Sequence, residues 1–183
     1  MTAARAERDR RLGELIDHHD IRQTLAQYCH ACDRGDEALM ASLYARDSFD
    51  DHGLVRAPGQ DYAREMTALI VQRTEAVWHV LGQSLITVTG DQAVAETFFL
   101  GMMRLNPQDG VSKINQLAGR FIDRLTRENG MWKIQRRTCL RDTSITLRVE
   151  EDMQAGYGLA AGTRGADDPG AALLELAHHL RRT

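Results

Sequence analysis

Residues 77–148 read VWHVLGQSLITVTGDQAVAETFFLGMMRLNPQDGVSKINQLAGRFIDRLTRENGMWKIQRRTCLRDTSITLR. Long runs rich in β-branched and apolar residues are divided by three turn signals. Gly90-Asp91 joins a strand over 77–89 to its return over 92–105. A loop over 106–110 holds Pro107 and leads to a third strand over 111–127. Asn129-Gly130, a dipeptide that tolerates the left-handed conformation of a two-residue hairpin, leads to a fourth strand over 131–148. Strands joined by tight turns pair antiparallel with their neighbours, so this half of the chain predicts a long meander.

Upstream the period changes to that of helices. Residues 5–18 are charged and helical in propensity. Asp20 is positioned as an N-cap for a helix to about residue 33, with Ile21, Leu25, Tyr28, Cys29 and Cys32 on a buried stripe. Gly35 suits a left-handed C-terminal cap, and Asp36 caps a short helix over 37–44. A short strand over 49–52 follows, then the Pro58-Gly59 turn and a third helix over 60–73. Helices followed by a meander predict an α+β fold, with the helices packed on one face of a curved antiparallel sheet. The chain divides into an extension over 1–13, one domain over 14–148, and a Gly-rich tail over 149–183 with a short helix at 171–182.

Composition sets the class. The 183 residues suit one domain, and a net charge of −3 argues against a dedicated nucleic-acid binder. No apolar run reaches the ~18–20 residues of a membrane span. Residues 1–11 are too polar for a secretory leader. With only three cysteines the expectation is a cytoplasmic protein with reduced thiols. Cys29 and Cys32 have C-x-x-C spacing, but inside a helical pattern they read as packing thiols.

Several polar side chains sit in apolar text. Tyr28 and Asp33 are five residues apart, about 140° around an ideal helix, and reach one cavity only if Asp33 lies at the helix end. His79 shares a strand face with Val77 and Leu81. In Asp50-Asp51-His52-Gly53, alternation puts Asp50 and His52 on one face. Metal binding there lacks a second ligand cluster, so no metal is assigned. Arg141-Asp142 lies near the end of the last strand. Phe99, Met103 and Leu117, with Phe98, Leu100, Met102 and Phe121, supply an apolar wall for a small, greasy cyclic ligand. No G-x-G-x-x-G, P-loop or G-x-S-x-G is present, so no cofactor is expected.

The chain resembles the SnoaL-like branch of the nuclear transport factor 2 superfamily over residues 14–148. The resemblance is carried by Ile21, Leu25, Tyr28 and Asp33, by D-D-H-G at 50–53, W-H-x-L-G-Q at 78–83 and V-x-G-D-x-A-x-A-E-T at 88–97. G-R-F-I-D-R at 119–124, N-G-x-W-K-I at 129–134 and the R-D pair at 141–142 complete it. It implies a cone-shaped sheet closed by N-terminal helices around a pocket, and homodimers or homotrimers. Lyases of this superfamily, such as scytalone dehydratase, hexachlorocyclohexane dehydrochlorinase and bile acid 7α-dehydratases, use an Asp–His pair. Their pattern implies His79, Asp33 and Tyr28 as the catalytic set. Trp78, Asp50, His52, Phe99, Met103, Leu117 and Arg141 then line the substrate site. The implied activity is a cofactor-independent dehydratase acting on a steroid- or polyketide-like ring, with an isomerase or cyclase as the alternative. A non-catalytic binding or oligomerisation module, or the small subunit of a ring-hydroxylating dioxygenase, has the same fold. The dehydratases carry a second acid or His where this chain has Met102, Met103 and Arg104, leaving Arg104 or Arg141 to take its place.

Overall fold

The computed structural model describes residues 2–149 and 158–171. Helix α1 (Ala3–Arg34) and α2 (Glu37–Ser42) lead into strands β1 (Tyr44–Asp51) and β2 (Arg56–Ala57). Helix α3 (Gly59–Arg73) precedes four long strands, β3 (Thr74–Thr89), β4 (Gln92–Gln108), β5 (Val111–Glu128) and β6 (Met131–Arg148). They form one open sheet in the order β2-β1-β6-β5-β4-β3. The meander β3 to β6 is antiparallel as expected. The sheet as a whole is mixed, because β1 pairs parallel to β6. Connecting parallel neighbours requires a long crossover, and here it is everything from β2 to β5. The helices pack on one face, so the α+β cone stands.

The helical text departs from expectation at the start of α1 and at the end of α2, which stops at Ser42 rather than 44. Asp20 caps nothing: α1 is continuous from Ala3, and the Asp20 carbonyl accepts a bond from the Thr24 hydroxyl one turn on. No proline interrupts residues 3–34, so nothing ends the helix between them. Residue 13, the expected domain edge, lies inside it, and residues 2–16 are exposed. The end does follow expectation: Gly35 has φ 68°, and its neighbour Asp36 caps α2 through Leu39 N. β1 starts at Tyr44 because the Leu43 carbonyl already accepts from Ile134 N of β6. β4 extends to Gln108, and only Asp109 and Gly110, with φ 52° and 75°, make the turn. The expected helix at 171–182 falls almost wholly outside the described residues.

β-Bulges decide which side chains enter the core. On β6, Ile134 pairs with Leu125 and Arg136 with Arg124, leaving Gln135 as an extra residue. An extra residue reverses the in–out alternation beyond it. Arg137 rather than Arg136 therefore points inward, and it is completely buried. Its guanidinium forms a two-pronged ion pair with buried Asp123 directly across on β5, Nε to Oδ1 at 2.7 Å and Nη2 to Oδ2 at 2.8 Å. It also lies 4.1 Å from the ring centres of both Tyr28 and Phe121. Desolvation opposes this charge, but Asp123 more than offsets it and the arginine stays firmly protonated.

Asp123→Asn leaves a buried guanidinium without its counter-charge and should cost about 3–5 kcal/mol in urea unfolding. The paired change Asp123→Leu with Arg137→Met should recover most of that loss.

Candidate active site

Two buried carboxylates each hold one histidine by its Nδ1. Asp33 is the penultimate residue of α1, where Gly35 turns the chain away. Its Oδ1 lies 2.5 Å from His79 Nδ1, and its Oδ2 accepts the His79 backbone N–H at 3.0 Å. Both side chains are nearly buried, 10% exposed for Asp33 and 14% for His79. Gly101 stands opposite His79 in the β3–β4 register, and a Cβ there would come within 3.4 Å of the ring edge and Nε2. With Nδ1 held, Nε2 is the nitrogen left for a ligand.

The second pair is Asp50 and His52 at the end of β1. Asp50 is completely buried, and its two oxygens take His52 Nδ1 and the Tyr44 hydroxyl in very short contacts. His52 Nε2 lies 3.3 Å from the Tyr28 hydroxyl, which in turn bonds the Tyr62 hydroxyl at 2.8 Å. Burial raises the pKa of Tyr28, Tyr44 and Tyr62 well above the phenol value, so all three keep their protons. Burial pushes the His52 pKa down, but the hydrogen bond to Asp50 and its charge, with a contribution from the neighbouring Cys139, outweigh it and lift the value to about 9. His52 is thus an imidazolium at neutral pH.

An aromatic floor links the pairs. Phe99 and Phe121 stack at 4.3 Å with ring planes 11° apart. The His79 ring centre is 6.2 Å from Phe99, and that of His52 is 5.9 Å from Phe121. Met103 and Leu117, partly buried, pack on the same cluster with Met66 and Cys139. Tyr28 joins the His52 network rather than touching Asp33 or His79, as their angular separation on α1 implies. Trp78 is 48% exposed, on the strand face opposite His79. Arg141 shares the face of Arg137 and Cys139 but lies exposed at the rim, bonded to Ser144. Arg104 pairs with Glu75 at 2.7 Å. Cys29 and Cys32 are free and buried, and burial pushes the Cys29 thiol up to about 12. Cys32 lies beside the first pair: one donor atom each from Cys32, Asp33 and His79 fall within 4.8 Å of one another. Burial makes the Cys32 thiol a reluctant thiolate, and the Asp33 oxygens are already engaged by His79.

Sequence reasoning did not find Tyr44, Tyr62 and Arg137. The only signal for the tyrosines was a polar tip on an otherwise apolar helix or strand start. Arg137 was hidden by the bulge.

The SnoaL-like domain model matches residues 13–138. The chain belongs to the SnoaL-like domain family. Solved structures share the fold of this SnoaL-like protein. A provisionally named scytalone dehydratase from Novosphingobium aromaticivorans is 17% identical, with a TM-score of 0.65 over 84% of this chain and 95% of that one. Hexachlorocyclohexane dehydrochlorinase LinA-type3 from Novosphingobium barchaimii is 18% identical, with a TM-score of 0.65 over 82% and 98%. A provisionally named aromatic ring hydroxylase from N. aromaticivorans is 22% identical, with a TM-score of 0.64 over 74% and 94%. No curated protein matches the sequence significantly. Among the described residues no helix is long and apolar enough to cross a membrane.

The His52 pKa carries a stability consequence. The folded value, about 9, lies above the unfolded value of 6.5, so folding favours the protonated ring. The stabilisation is complete below about pH 6.5 and is lost as pH rises through 9. The shift corresponds to roughly 3 kcal/mol. Chemical unfolding of wild type across this window should show the decline, and His52→Gln should remove that part of it.

Proposed function

We propose that this SnoaL-like protein is a cofactor-independent lyase, a dehydratase of apolar cyclic substrates that carry a hydroxyl two carbons from a carbonyl. The observation that carries the reading is the Asp33–His79 pair beside the Phe99–Phe121 floor. Asp33 positions the ring, fixes its tautomer and stabilises the imidazolium that forms when His79 Nε2 takes the proton next to the carbonyl. Phe99, Met103 and Leu117 hold the ring system away from water, where electrostatic stabilisation of the developing enolate is strongest. The Tyr28 hydroxyl, anchored by Tyr62, lies behind the His52 ring at one end of the aromatic floor. Arg141 at the rim meets whatever polar substituent reaches the mouth, and Trp78 faces outward with Val80, on a sheet face suited to a second copy of the chain. A steroid or an aromatic polyketide is the fitting substrate class. The names of the dehydratase and dehydrochlorinase neighbours agree with elimination chemistry.

The test is turnover of hydroxylated steroids, aromatic polyketides and the simple bicyclic β-hydroxyketone 3-hydroxy-1-tetralone, read by mass spectrometry. Wild type should release water. Asp33→Asn should lower the rate about 10²–10⁴-fold, and His79→Ala should lower it at least as far. Rearrangement without change of mass, lost in the same variants, would make the protein an isomerase instead. Binding without turnover that is indifferent to His79 would make it a binding module.

A further inference from the structure

Elimination of water moves two protons: one leaves carbon, and another must reach the departing oxygen. The Asp50–His52 pair repeats the construction of Asp33–His79. In each, a buried carboxylate sits behind the ring on Nδ1, and the imidazole is the member with remaining accessible surface, 14% in both. The groups around His52 come from every element packed on it: Asp50 and Tyr44 from β1, Tyr28 from α1, Tyr62 from α3, Phe121 from β5, and Cys139 from β6. Arg137 lies beyond Tyr28 and is neutralised by Asp123. Asp50, Tyr44, Tyr28 and Tyr62 are all sealed, so the network meets a ligand at His52. Its Nε2 rests on the Tyr28 hydroxyl at 3.3 Å, long for an N–H···O bond, and a better acceptor can replace it.

We propose that His52 is a second catalytic group of the pocket, an acid whose Nε2–H binds and protonates an oxygen of the substrate that gains negative charge. This rests on the reading of His79 as the base. His79 takes the proton from carbon, and that C–H electron pair becomes the new C=C bond. The C–O pair leaves with oxygen, which takes the Nε2 proton of His52, and water departs. The proton on His79 goes to solvent and His52 regains one, so the enzyme is unchanged. Asp50 and Tyr44 are positioning residues that keep the ring charged and aimed. The raised pKa of His52 is consistent with the proton being present at neutral pH.

The probe is 4-nitrophenol, a phenol more acidic than His52 whose ionised form is yellow. At about pH 6, where the free phenol is mostly neutral, wild type should bind it in the ionised form. His52→Gln, whose amide can still donate to Asp50, should weaken that binding about 10–100-fold, the worth of a charge-assisted hydrogen bond. His79→Ala should change it less than about threefold. In the unaltered protein, ring-nitrogen NMR should show both His52 nitrogens protonated at neutral pH and the Nε2 signal moving when the phenolate binds. Equal affinity in His52→Gln, uptake of only neutral phenol, no uptake, or a bare Nε2 would each overturn the proposal. With 3-hydroxy-1-tetralone in deuterated water, His52→Gln should keep exchange next to the carbonyl while losing elimination, whereas His79→Ala should lose both. Full turnover by His79→Ala would remove the base and leave the phenolate result standing.

Discussion

One carboxylate ties the fold to its chemistry. Asp33 takes both the backbone N–H and the ring Nδ1 of His79, so a single side chain fastens the end of α1 to edge strand β3. Among the described residues, β3 is the last strand of an open sheet and has only β4 as a strand neighbour. Among the described residues, these bonds add a directional tether to the packing between the helix and the strand that carries the histidine. The same bonds that close the cone also select the nitrogen that faces inward. Under the proposed function, structure and reactivity depend on one ion-pair geometry.

The described interior around this tether holds several paired charges. Arg137 faces Asp123, with a tyrosine and a phenylalanine on its two sides. His52 faces Asp50, which also binds Tyr44. A buried charge without a partner costs several kcal/mol, so these pairs constrain each other: altering Asp123 releases a cation against Tyr28, and Tyr28 is the partner of His52. The arginine is thus linked to His52 through the tyrosine ring it packs against.

Much of the fold was legible in the sequence. Asn129-Gly130 and Gly90-Asp91 mark their hairpins because few residues accept a positive φ, and both Asn129 and Gly90 have one. Asp33 and His79 stood out as polar residues in apolar text, but it was the family resemblance, not their spacing, that put them together. What local pattern does not carry is phase. The bulges at Gln135 on β6 and at Gly82-Gln83 on β3 shift the alternation, so Arg136 and Arg137 exchange faces. Nor does local pattern carry long-range pairing. The parallel contact of β1 with β6 brings Asp50 and His52 beside Cys139 and Phe121, residues far along the chain, and no spacing rule within D-D-H-G reveals it. Asp20 misled because a good capping residue caps only where the preceding chain is not already helical.

Under the proposed function, Asp33 presets the tautomer of His79 so that Nε2 is bare. Ring-nitrogen NMR of the full-length protein, selectively labelled in histidine and assigned with His79→Ala, reads this directly when the ring is neutral. The account predicts a proton on Nδ1 and none on Nε2, with the pattern lost in Asp33→Asn. A neutral ring protonated on Nε2, or one that does not respond to Asp33→Asn, would contradict it.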